Sequence, residues 1–249
     1  MNAVVTGASS GIGRALAIQL AATGTKVFLI ARRQALLEDV AAAIHAQGGQ
    51  AETLVLDVAD TEVTVHRLRQ LDAQHPIDLI IANAGVGVPP SLPASLPAYS
   101  WEAISGAFHI NFCGAAATLT AVLPAMVARG RGHLVGIGSL ASFGALPSSA
   151  AYCAPKAGLS MLLDCLRLDL RHTPITVTSV HAGFVRTDMV ARSTHPMPQL
   201  LDTDDAARRI LAAIEARQER LDFPQPLAVA TRLFGRLPSG LRDRILSRF

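Results

Sequence analysis

The chain of 249 residues is half hydrophobic and only 16% charged, and its formal net charge at pH 7 is +3. This composition excludes a disordered or fibrous protein and is typical of a packed globule. A chain of this length forms one large domain or two small ones, and it buries enough apolar surface to fold without disulfides. Its three cysteines (Cys113, Cys153 and Cys165) show no paired spacing, which favours reduced thiols in the cytoplasm.

The positive charge is concentrated towards the end of the chain. Residues 208–249 contain nine arginines and four acidic residues, so the rest of the chain has a net charge of −2. A basic segment of this kind does not indicate a nucleic-acid-binding domain. The first residues lack the basic and apolar regions of a signal peptide, and no run approaches the ~20 apolar residues of a membrane-spanning helix. We therefore expect a cytoplasmic protein that binds no nucleic acid.

Short β-branched runs alternate with longer helical patterns along the chain. Because the predicted strands are apolar on both faces, they favour a mainly parallel sheet that helices cover on both sides. The alternation predicts a single α/β domain of the Rossmann type, doubly wound, with six to seven strands. The predicted strands are residues 2–6, 26–31, 52–57, 78–83, 133–138 and 175–181. The helical patterns between the first five strands cover residues 12–24, 34–47, 61–74 and 101–130.

A glycine-rich turn, TGASSGIG (residues 6–13), joins the first strand to the first helix. Such a turn lets the backbone approach a ligand closely and directs free helix N–H groups at a diphosphate. The turn alone is also compatible with a plain strand-to-helix connection, but here a strand and a helix flank it as a dinucleotide site requires. The candidate cofactor-binding residues in it are Gly7, Ser9, Ser10, Gly11, Ile12 and Gly13.

The end of the second strand predicts which dinucleotide binds. NAD-binding sheets place an acidic residue there to hold the ribose hydroxyls, whereas this chain has Arg32 and Arg33. Guanidinium groups make bidentate contacts with phosphate. We therefore predict NADP(H), with Arg32 as the main contact and Ser9 as an additional donor. The alternative is that both arginines begin a solvated helix, and for Arg33 the two interpretations stand equal.

Two further strand ends predict the rim of the adenosine site. Asp57 and Val58 close the third strand, and the fourth leads into Asn83, Ala84 and Gly85. Each of these residues is also common in ordinary turns. A Pro- and Ser-rich stretch, residues 85–100, follows the fourth strand and is expected to be a loop that borders the ligand crevice.

The stretch YCAPK (residues 152–156) places a tyrosine and a lysine four residues apart near the start of a predicted helix. Residues at this spacing lie on one helix face, so the Lys156 ammonium is expected to lower the pKa of Tyr152 towards the range of a general acid–base. Arginine supplies twenty of the twenty-two Lys and Arg residues, which sets Lys156 apart. Pro155 removes a helical hydrogen bond to Ala151 and predicts a helix that begins late or bends.

Two polar residues complete the candidate catalytic set. Ser139 closes the fifth predicted strand, where its hydroxyl can hold a substrate oxygen beside Tyr152; the alternative is a cap of a turn. Asn111 lies inside a long helical pattern, where an amide is not a favoured residue. Its alternative role is that of a polar residue whose hydrogen bonds are satisfied within the helix.

Taken in order, these motifs resemble those of the short-chain dehydrogenases/reductases. The resemblance covers roughly residues 2–220 and rests on TGASSGIG, Asp57-Val58, Asn83-Ala84-Gly85, Asn111, Ser139 and Tyr152-x-x-x-Lys156. It implies that Asn111, Ser139, Tyr152 and Lys156 form a catalytic tetrad, in which Asn111 anchors a water that links Lys156 to solvent and Lys156 also reaches the nicotinamide ribose. It further implies nicotinamide contacts from Gly183, Val185 and Thr187, although Ala182-Gly183 replaces the Pro-Gly usual in the family.

These residues predict an NADP(H)-dependent oxidoreductase that interconverts a carbonyl and a secondary alcohol, with Tyr152 as general acid–base. The apolar residues near the expected pocket favour a lipophilic small-molecule substrate; they are Leu140, Phe143, Leu146, Phe184 and Met189. One alternative is a 3-oxoacyl-type reductase of fatty-acid metabolism, and another is a non-catalytic protein that senses NADP(H). The histidines and cysteines show no metal-ligand spacing, so no metal is expected.

The last part of the chain, residues 222–249, is predicted to be a basic amphipathic extension of a catalytic domain at residues 1–221. Breaks at Gly235 and at Pro238-Ser239-Gly240 divide it into two short helices, the second with Leu241, Ile245 and Phe249 on one face. Such a segment either rests on an anionic surface, here the inner membrane, or serves as a lid or subunit contact. The family resemblance implies a homo-oligomer, either a dimer or a tetramer.

Overall fold

A computed structural model gives the fold and describes residues 1–87, 100–191 and 197–246. Within these residues, seven parallel strands form one sheet in the order β3-β2-β1-β4-β5-β6-β7. The strands are β1 (Asn2–Thr6), β2 (Lys26–Ala31), β3 (Gln50–Val55), β4 (Leu79–Ala82), β5 (Gly132–Ser139), β6 (Ile175–Ala182) and β7 (Arg220–Phe223). The strand order reverses between β1 and β4, which is the doubly wound arrangement that the sequence predicts.

The helices connect these strands and extend beyond the last one. They are α1 (Gly11–Ala22), α2 (Gln34–Ala46), α3 (Thr61–Gln74), α4 (Trp101–Phe108), α5 (Ala115–Ala121), α6 (Leu123–Arg129), α7 (Ala150–Asp169), α8 (Asp188–Ala191), α9 (Thr203–Glu215), α10 (Gln225–Gly235) and α11 (Ser239–Leu246). A π-helical turn (His109–Gly114) joins α4 to α5, and a 3₁₀ turn (Leu140–Ser142) follows β5.

Two hydrophobic cores cover the two faces of the sheet. Successive strand residues point to opposite faces, so Ala3 and Val5 of β1 belong to one core and Val4 to the other. Helices α1, α2 and α9 pack on the first face, and α3, α5, α6 and α7 pack on the second. This three-layer packing confirms the predicted α/β architecture.

Two strands differ from the prediction. β3 covers residues 50–55 rather than 52–57, and only Ala51 in it is fully buried. The bounds of β3 could not be predicted from its apolar residues, because an edge strand is exposed to solvent along part of its length. β7 was not predicted, since its sequence RLDF contains two charged residues in four. The predicted domain boundary between residues 221 and 222 falls inside β7, so the catalytic sheet extends at least to Phe223.

The segment after β7 forms two short helices, as the breaks at Gly235 and Pro238-Ser239-Gly240 predict. Leu241 on α11 is 49% exposed, whereas Ile245 is partly buried. Phe249, the third residue of the predicted apolar face, lies outside the described residues, as does most of the Pro- and Ser-rich stretch at 85–100.

The helical run Trp101–Arg129 is long and apolar enough to cross a bilayer, judged by length and composition alone. The expectation that no segment reaches this length was therefore wrong. In the fold, α5 of this run contacts α3, α7 and β4, and 44% of its most apolar window is buried. A helix packed in the core of a globular domain has the same composition.

Candidate active site

The glycine-rich turn between β1 and α1 has little space beside it. Gly11 has a φ of +56°, in the left-handed region that favours glycine, and a Cβ there would lie 3.0 Å from Thr187 Cγ2. A Cβ on Gly13 would collide with the carbonyl oxygen of Gly7 and with Asn83 Nδ2. The turn therefore requires glycine at both positions, and it contacts two other predicted cofactor-binding residues, Thr187 and Asn83.

Hydrogen bonds tie this turn to the end of β4. Thr6 Oγ1 accepts from the backbone N–H groups of Asn83 and Ala84, at 3.1 Å in each case. Asn83 Nδ2 donates to the carbonyl oxygens of Thr6, at 2.9 Å, and of Gly7, at 3.4 Å. The Asn83 side chain thus holds the turn in place, and Thr6, which sequence reasoning did not single out, completes the connection.

The first turn of α1 suits a diphosphate. Its N-cap residue, Ser10, makes no side-chain hydrogen bond to the helix, and the first turn contains no acidic residue. Ser9 is buried, and Ile12 packs against the core. Free N–H groups at a helix N-terminus favour an anion. The residues present therefore fit the dinucleotide that the motif predicts.

The two arginines after β2 have different surroundings, and which of them contacts a 2′-phosphate stays a prediction. Arg33 Nη2 donates to Ser9 Oγ at 3.0 Å and to Ser10 Oγ at 2.8 Å, so its guanidinium lies against the glycine-rich turn. Arg32 Nη1 lies 3.4 Å from Asp57 Oδ2, and its side chain is 60% exposed. Successive residues of an extended backbone point to opposite sides, which explains why the two neighbours meet different partners.

Asp57 and Val58 lie just beyond β3. Besides facing Arg32, Asp57 accepts a hydrogen bond at Oδ1 from the N–H of Ala59 at 3.0 Å, the local turn bond typical of aspartate. Val58 is 5% exposed, and a Cβ on Gly114 would lie 2.6 Å from its carbonyl oxygen. Asp57 therefore has a turn role in addition to its position at the rim of the predicted adenosine site.

Asn111 lies in the π-helical turn, a feature frequent at functional sites, and it is fully buried. Its Oδ1 accepts from the N–H of Val86 and its Nδ2 donates to the carbonyl oxygen of Val86, both at 2.9 Å. A Cβ on Gly85 would lie 2.9 Å from Asn111 Oδ1 and 3.4 Å from Lys156 Nζ. Asn111 therefore fixes the segment after β4 and lies close to Lys156.

Helix α7 brings Tyr152 and Lys156 to the end of β5. Lys156 is 4% exposed; its Nζ donates to the carbonyl oxygen of Ile137 at 2.9 Å and lies 6.0 Å from the centroid of the Tyr152 ring. The Ser139 side chain lies beside Tyr152 and acts to lower the pKa of its phenol. Ser139 Oγ also accepts from the N–H of Ala141 at 3.2 Å, so Ser139 caps a turn and contacts Tyr152 at the same time.

Burial controls the pKa values of this pair. It raises the pKa of the Tyr152 phenol, and the Ser139 side chain acts in the opposite direction as a smaller effect. Burial also lowers the pKa of the Lys156 ammonium to about 8. The prediction of a lowered Tyr152 pKa was therefore wrong for the protein alone, because the loss of hydration of the buried phenol outweighs the effects that lower this pKa.

The start of α7 accommodates the proline. The carbonyl oxygen of Ser149 accepts from the N–H groups of Tyr152, at 3.0 Å, and of Cys153, at 2.8 Å. The helix begins at Ala150, only two residues before Tyr152, and continues past Pro155 to Asp169. A late start agrees with the prediction drawn from the proline, since few helical hydrogen bonds precede the one that it removes.

The segment after β6 lies at the same edge of the sheet. The N–H of Gly183 donates to the carbonyl oxygen of Phe223 at 2.8 Å, and Val185 is 3% exposed and forms a bridge with Leu201. Thr187 lies against Gly11. The structure therefore brings the predicted nicotinamide segment into contact with the glycine-rich turn.

Sequence reasoning missed a buried polar cluster behind the end of β6. His181 Nδ1 lies 2.7 Å from Asp222 Oδ1, and both side chains are at most 4% exposed. Arg220 and Arg232 form ion pairs with the same carboxylate. The Asp of β7 was the available signal, because a lone acid in a buried strand needs partners, but β7 itself was not recognised.

Among the residues that the structure describes, no group of three or more His, Cys, Asp or Glu side chains could hold a metal ion. The three cysteines are free thiols.

Comparison with known proteins identifies the family of the chain. Residues 1–198 match the family model described as short chain dehydrogenase. An uncharacterized oxidoreductase of Myxococcus xanthus is 44% identical over 99% of this chain and 96% of its own length. A fatty acyl-CoA reductase of Acinetobacter baylyi is 34% identical over 88% of this chain and 74% of its own length.

Solved structures of dehydrogenases have the same fold. A short-chain dehydrogenase from Sphingobium yanoikuyae in complex with NADPH is 26% identical, covers 100% of this chain and 96% of its own, and has a TM-score of 0.82. A short chain dehydrogenase/reductase from Burkholderia phymatum in complex with NAD has a TM-score of 0.83 at 24% identity, over 93% of this chain and 92% of its own, and is informative for the fold alone. The chain therefore belongs to the short-chain dehydrogenase family of oxidoreductases.

Proposed function

We propose that the protein is an NADP(H)-dependent oxidoreductase that interconverts a carbonyl group and a secondary alcohol on a lipophilic small molecule. The observation that carries this proposal is the buried Lys156 Nζ, 6.0 Å from the centroid of the Tyr152 ring, with the Ser139 side chain beside the same tyrosine. A hydroxyl pair of this kind holds a carbonyl oxygen and supplies the proton that reduction requires.

The protonation states assign roles to these residues. Because burial raises the pKa of Tyr152, its phenol is neutral at pH 7 and is ready to donate a proton to a substrate oxygen. Ser139 positions that oxygen. With a pKa of about 8, Lys156 is mostly charged at pH 7, and its bond to the Ile137 carbonyl holds the charge in place. A charge at this position stabilises the phenolate that forms when Tyr152 loses its proton.

Asn111 supports the same site. Its amide bonds to both backbone groups of Val86 and so fixes the segment next to Lys156. By the family resemblance, Asn111 also anchors a water through which Lys156 exchanges protons with solvent. Both roles require the side chain to stay in the π-helical turn.

The glycine-rich turn, the first N–H groups of α1 and the segment Gly183–Thr187 would hold the cofactor. When bound, NADPH supplies the hydride, and the protein provides its orientation. The contact between Gly11 and Thr187 places the diphosphate-binding turn beside the predicted nicotinamide segment. The chain is therefore expected to bind the cofactor across the carboxyl ends of β1, β4 and β6.

Preference for NADP(H) rests on Arg33 together with Ser9 and Ser10. Its guanidinium already contacts both hydroxyls, so one arginine and two hydroxyl donors converge where an NAD-binding sheet would place an acid. Arg32 contributes less, because it faces Asp57. NADPH in the Sphingobium yanoikuyae structure agrees with this choice, although the Burkholderia phymatum structure holds NAD.

Reduction of an acyl-chain carbonyl is the second candidate. It is favoured by the relative from Acinetobacter baylyi, which is described as a fatty acyl-CoA reductase. The apolar side chains of Met189 and Leu146, each 45% exposed, suit a chain of this kind. A protein that only senses NADP(H) is disfavoured, because binding alone does not require the buried Lys156 next to a Ser139–Tyr152 pair.

The experiment is NADPH oxidation with a panel of ketones, aldehydes and acyl thioesters, followed for the wild type and Tyr152→Phe. We expect turnover of lipophilic carbonyls to fall at least about 1,000-fold in the variant, because it loses the proton donor, while the Kd for NADPH stays within twofold. Full activity of the variant would refute the role of Tyr152. Binding of NADPH without turnover of any substrate would favour the sensor.

We also propose that the protein acts in the cytoplasm as a homo-oligomer and that α10 and α11 contact a neighbouring surface. The side chains of Val229, Leu233 and Leu241 are 51%, 60% and 49% exposed. Sedimentation of the full chain gives the oligomeric state. Co-sedimentation with anionic vesicles, compared with Leu233→Ser, separates a subunit contact from a peripheral membrane contact, since only the latter loses vesicle binding in the variant.

A further inference from the structure

Helix α10 lies against the turn that follows Ser139. A Cβ on Gly235 would collide with the carbonyl oxygen of Phe143. A Cβ on Gly144 would lie 3.4 Å from Gly235 Cα and 3.8 Å from Phe234 Cδ1. The backbones of α10 and of residues 143–144 therefore touch, which only glycine at position 235 permits.

Charged and aromatic side chains contact the Phe143 ring. The guanidinium carbons of Arg220 and Arg232 lie 4.9 and 5.4 Å from the ring centroid. The His181 ring lies 4.7 Å from it at an angle of 43°. Cations over an aromatic face are attracted by the ring quadrupole, so the two guanidiniums hold the ring against β6.

Asp222 organises this cluster. Its buried carboxylate accepts from His181 Nδ1 at 2.7 Å and from Arg220 Nε at 3.1 Å, and it forms an ion pair with Arg232. A buried carboxylate requires partners of this kind. Because Arg232 belongs to α10, and Asp222 and Arg220 belong to β7, the carboxylate joins α10 to the sheet.

Phe143 is connected to Ser139 by a short, fully hydrogen-bonded turn. The N–H of Phe143 donates to the Leu140 carbonyl oxygen at 3.1 Å, and the N–H of Ala141 donates to Ser139 Oγ at 3.2 Å. The Ser142 hydroxyl donates to the carbonyl oxygen of Ser139. Only the three residues of the 3₁₀ turn separate them, so we expect a displacement of Phe143 to move the Ser139 hydroxyl.

We propose that Arg232 is a positioning residue: paired with Asp222, it clamps Phe143 under α10 and thereby holds the Ser139 side chain beside Tyr152. The catalytic part of this inference rests on the proposed function. The clamp itself does not, because it is a property of the turn at 139–144. Helix α10 accordingly supports the active site and is not a separate extension of the domain.

The test uses two variants that loosen the clamp by different means. Arg232→Met keeps the length of the side chain but removes its charge, and Gly235→Ala introduces the colliding Cβ without changing any charge. Arg232→Lys keeps the charge but not the planar stacking. The controls are Arg236→Met, an exposed arginine one turn further along, and Gly240→Ala, where a Cβ meets nothing within 4 Å.

Two measurements are made on the full chain, well below its unfolding temperature. Hydrogen exchange of the peptide covering residues 139–149 reports the turn without any substrate. We expect at least about tenfold faster exchange in Arg232→Met and Gly235→Ala, with both controls at the wild-type rate. In NADPH-dependent turnover we expect kcat to fall about tenfold or more, since small misplacements are costly, with NADPH Kd within twofold and Arg232→Lys in between.

Each possible result either supports or overturns the proposed clamp. Wild-type exchange at residues 139–149 in both Arg232→Met and Gly235→Ala would overturn the clamp. Faster exchange with unchanged kcat would overturn its link to catalysis. Variants that lose unfolding temperature and NADPH affinity together, with Arg232→Lys no better than Arg232→Met, would assign the cluster to overall stability and also overturn the proposal. A wild type that exchanges slowly but reduces no carbonyl would reject the proposed function and leave the clamp standing.

Discussion

The cofactor side and the substrate side of the candidate site are held together in different ways. On the cofactor side, the glycine-rich turn is fixed by uncharged hydrogen bonds between Thr6 and the end of β4. On the substrate side, the turn after Ser139 is fixed by a buried carboxylate, two guanidiniums and a histidine. The first arrangement depends on close backbone contact, whereas the second depends on charge.

Different kinds of substitution should therefore disrupt the two sides. Contacts between backbones tolerate no added atom, so the cofactor side should be sensitive to the smallest steric change. Ionic contacts in a buried cluster tolerate changes of shape better but depend on protonation. Steric variants should therefore break the cofactor side, and changes of charge or pH should break the substrate side.

The largest effect is expected for Gly13→Ala on the cofactor side. The added methyl collides with the Gly7 carbonyl and Asn83 Nδ2, neither of which can move without breaking the turn. We expect the Kd for NADPH to rise by up to about 100-fold, the equivalent of overpacking by about 1–3 kcal/mol. Fluorescence titration of NADPH measures it.

Gly106→Ala is the matched control, because Gly106 is exposed on α4 and a Cβ there meets nothing within 4 Å. It should bind NADPH as the wild type does. Unchanged NADPH affinity in Gly13→Ala would show that the glycine-rich turn can relax. The cofactor side would then not be more sensitive to steric change than the substrate side.

A smaller effect is expected for Arg33, a charged residue that contacts the glycine-rich turn on the cofactor side. Arg33→Ala removes the guanidinium that contacts Ser9 and Ser10. Because Arg33 is exposed, the Kd for NADPH should rise only about tenfold, the low end for the loss of a charged hydrogen bond. The Kd for NADH should stay within twofold, because NADH carries no 2′-phosphate.

Arg32→Ala serves as the comparison, because Arg32 is an exposed neighbour that faces Asp57. It should change NADPH affinity by less than Arg33→Ala does. If Arg32→Ala had the larger effect, the sequence-based order of the two arginines would be confirmed, and the contacts of Arg33 with the serines would be structural only.

The two sides also differ in how far sequence alone predicts them. The cofactor side was predictable because its residues lie in short motifs at strand ends, and parallel strands bring their carboxyl ends to one edge. The different partners of Arg32 and Arg33 were not, since they depend on the direction in which each side chain leaves the strand end. Tyr152 and Lys156 were predictable from helical spacing, but the raised pKa of Tyr152 follows from burial, which spacing does not reveal.

The ionic cluster was beyond prediction for a different reason. Phe143, His181, Asp222 and Arg232 lie far apart in the chain and meet only because β7 pairs with β6. β7 is a short strand with two charged residues, so neither length nor hydropathy identifies it. Without that strand, residues after 221 look like a separate basic extension, and their link to Ser139 is lost.

At pH 7 the smallest effect is expected from the histidine of this cluster, because its contribution to the free energy of unfolding changes only at lower pH. Burial lowers the pKa of His181 to about 3, and the guanidinium of Arg220 acts in the same direction. Arg232 also lowers this pKa, while Asp164 raises it. In the unfolded chain, histidine titrates near ~6.5, so between pH 6.5 and 3 the unfolded state binds a proton that the folded state excludes.

The free energy of unfolding should therefore decrease as the pH falls through this window, by about 1.4 kcal/mol per pH unit from His181 alone. His133, whose pKa burial lowers to about 4, contributes similarly above pH 4.

His181→Gln should remove about half of the combined slope in urea unfolding between pH 6 and 4.5, whereas His66→Gln, on the exposed side of α3, should keep the wild-type slope. An unchanged slope in His181→Gln would mean that His181 gains its proton in the folded protein as readily as in the unfolded one. Asp222 would then pair with an imidazolium as well as with two guanidiniums. The ion pair between Arg232 and Asp222 would therefore contribute less to holding Phe143 in place.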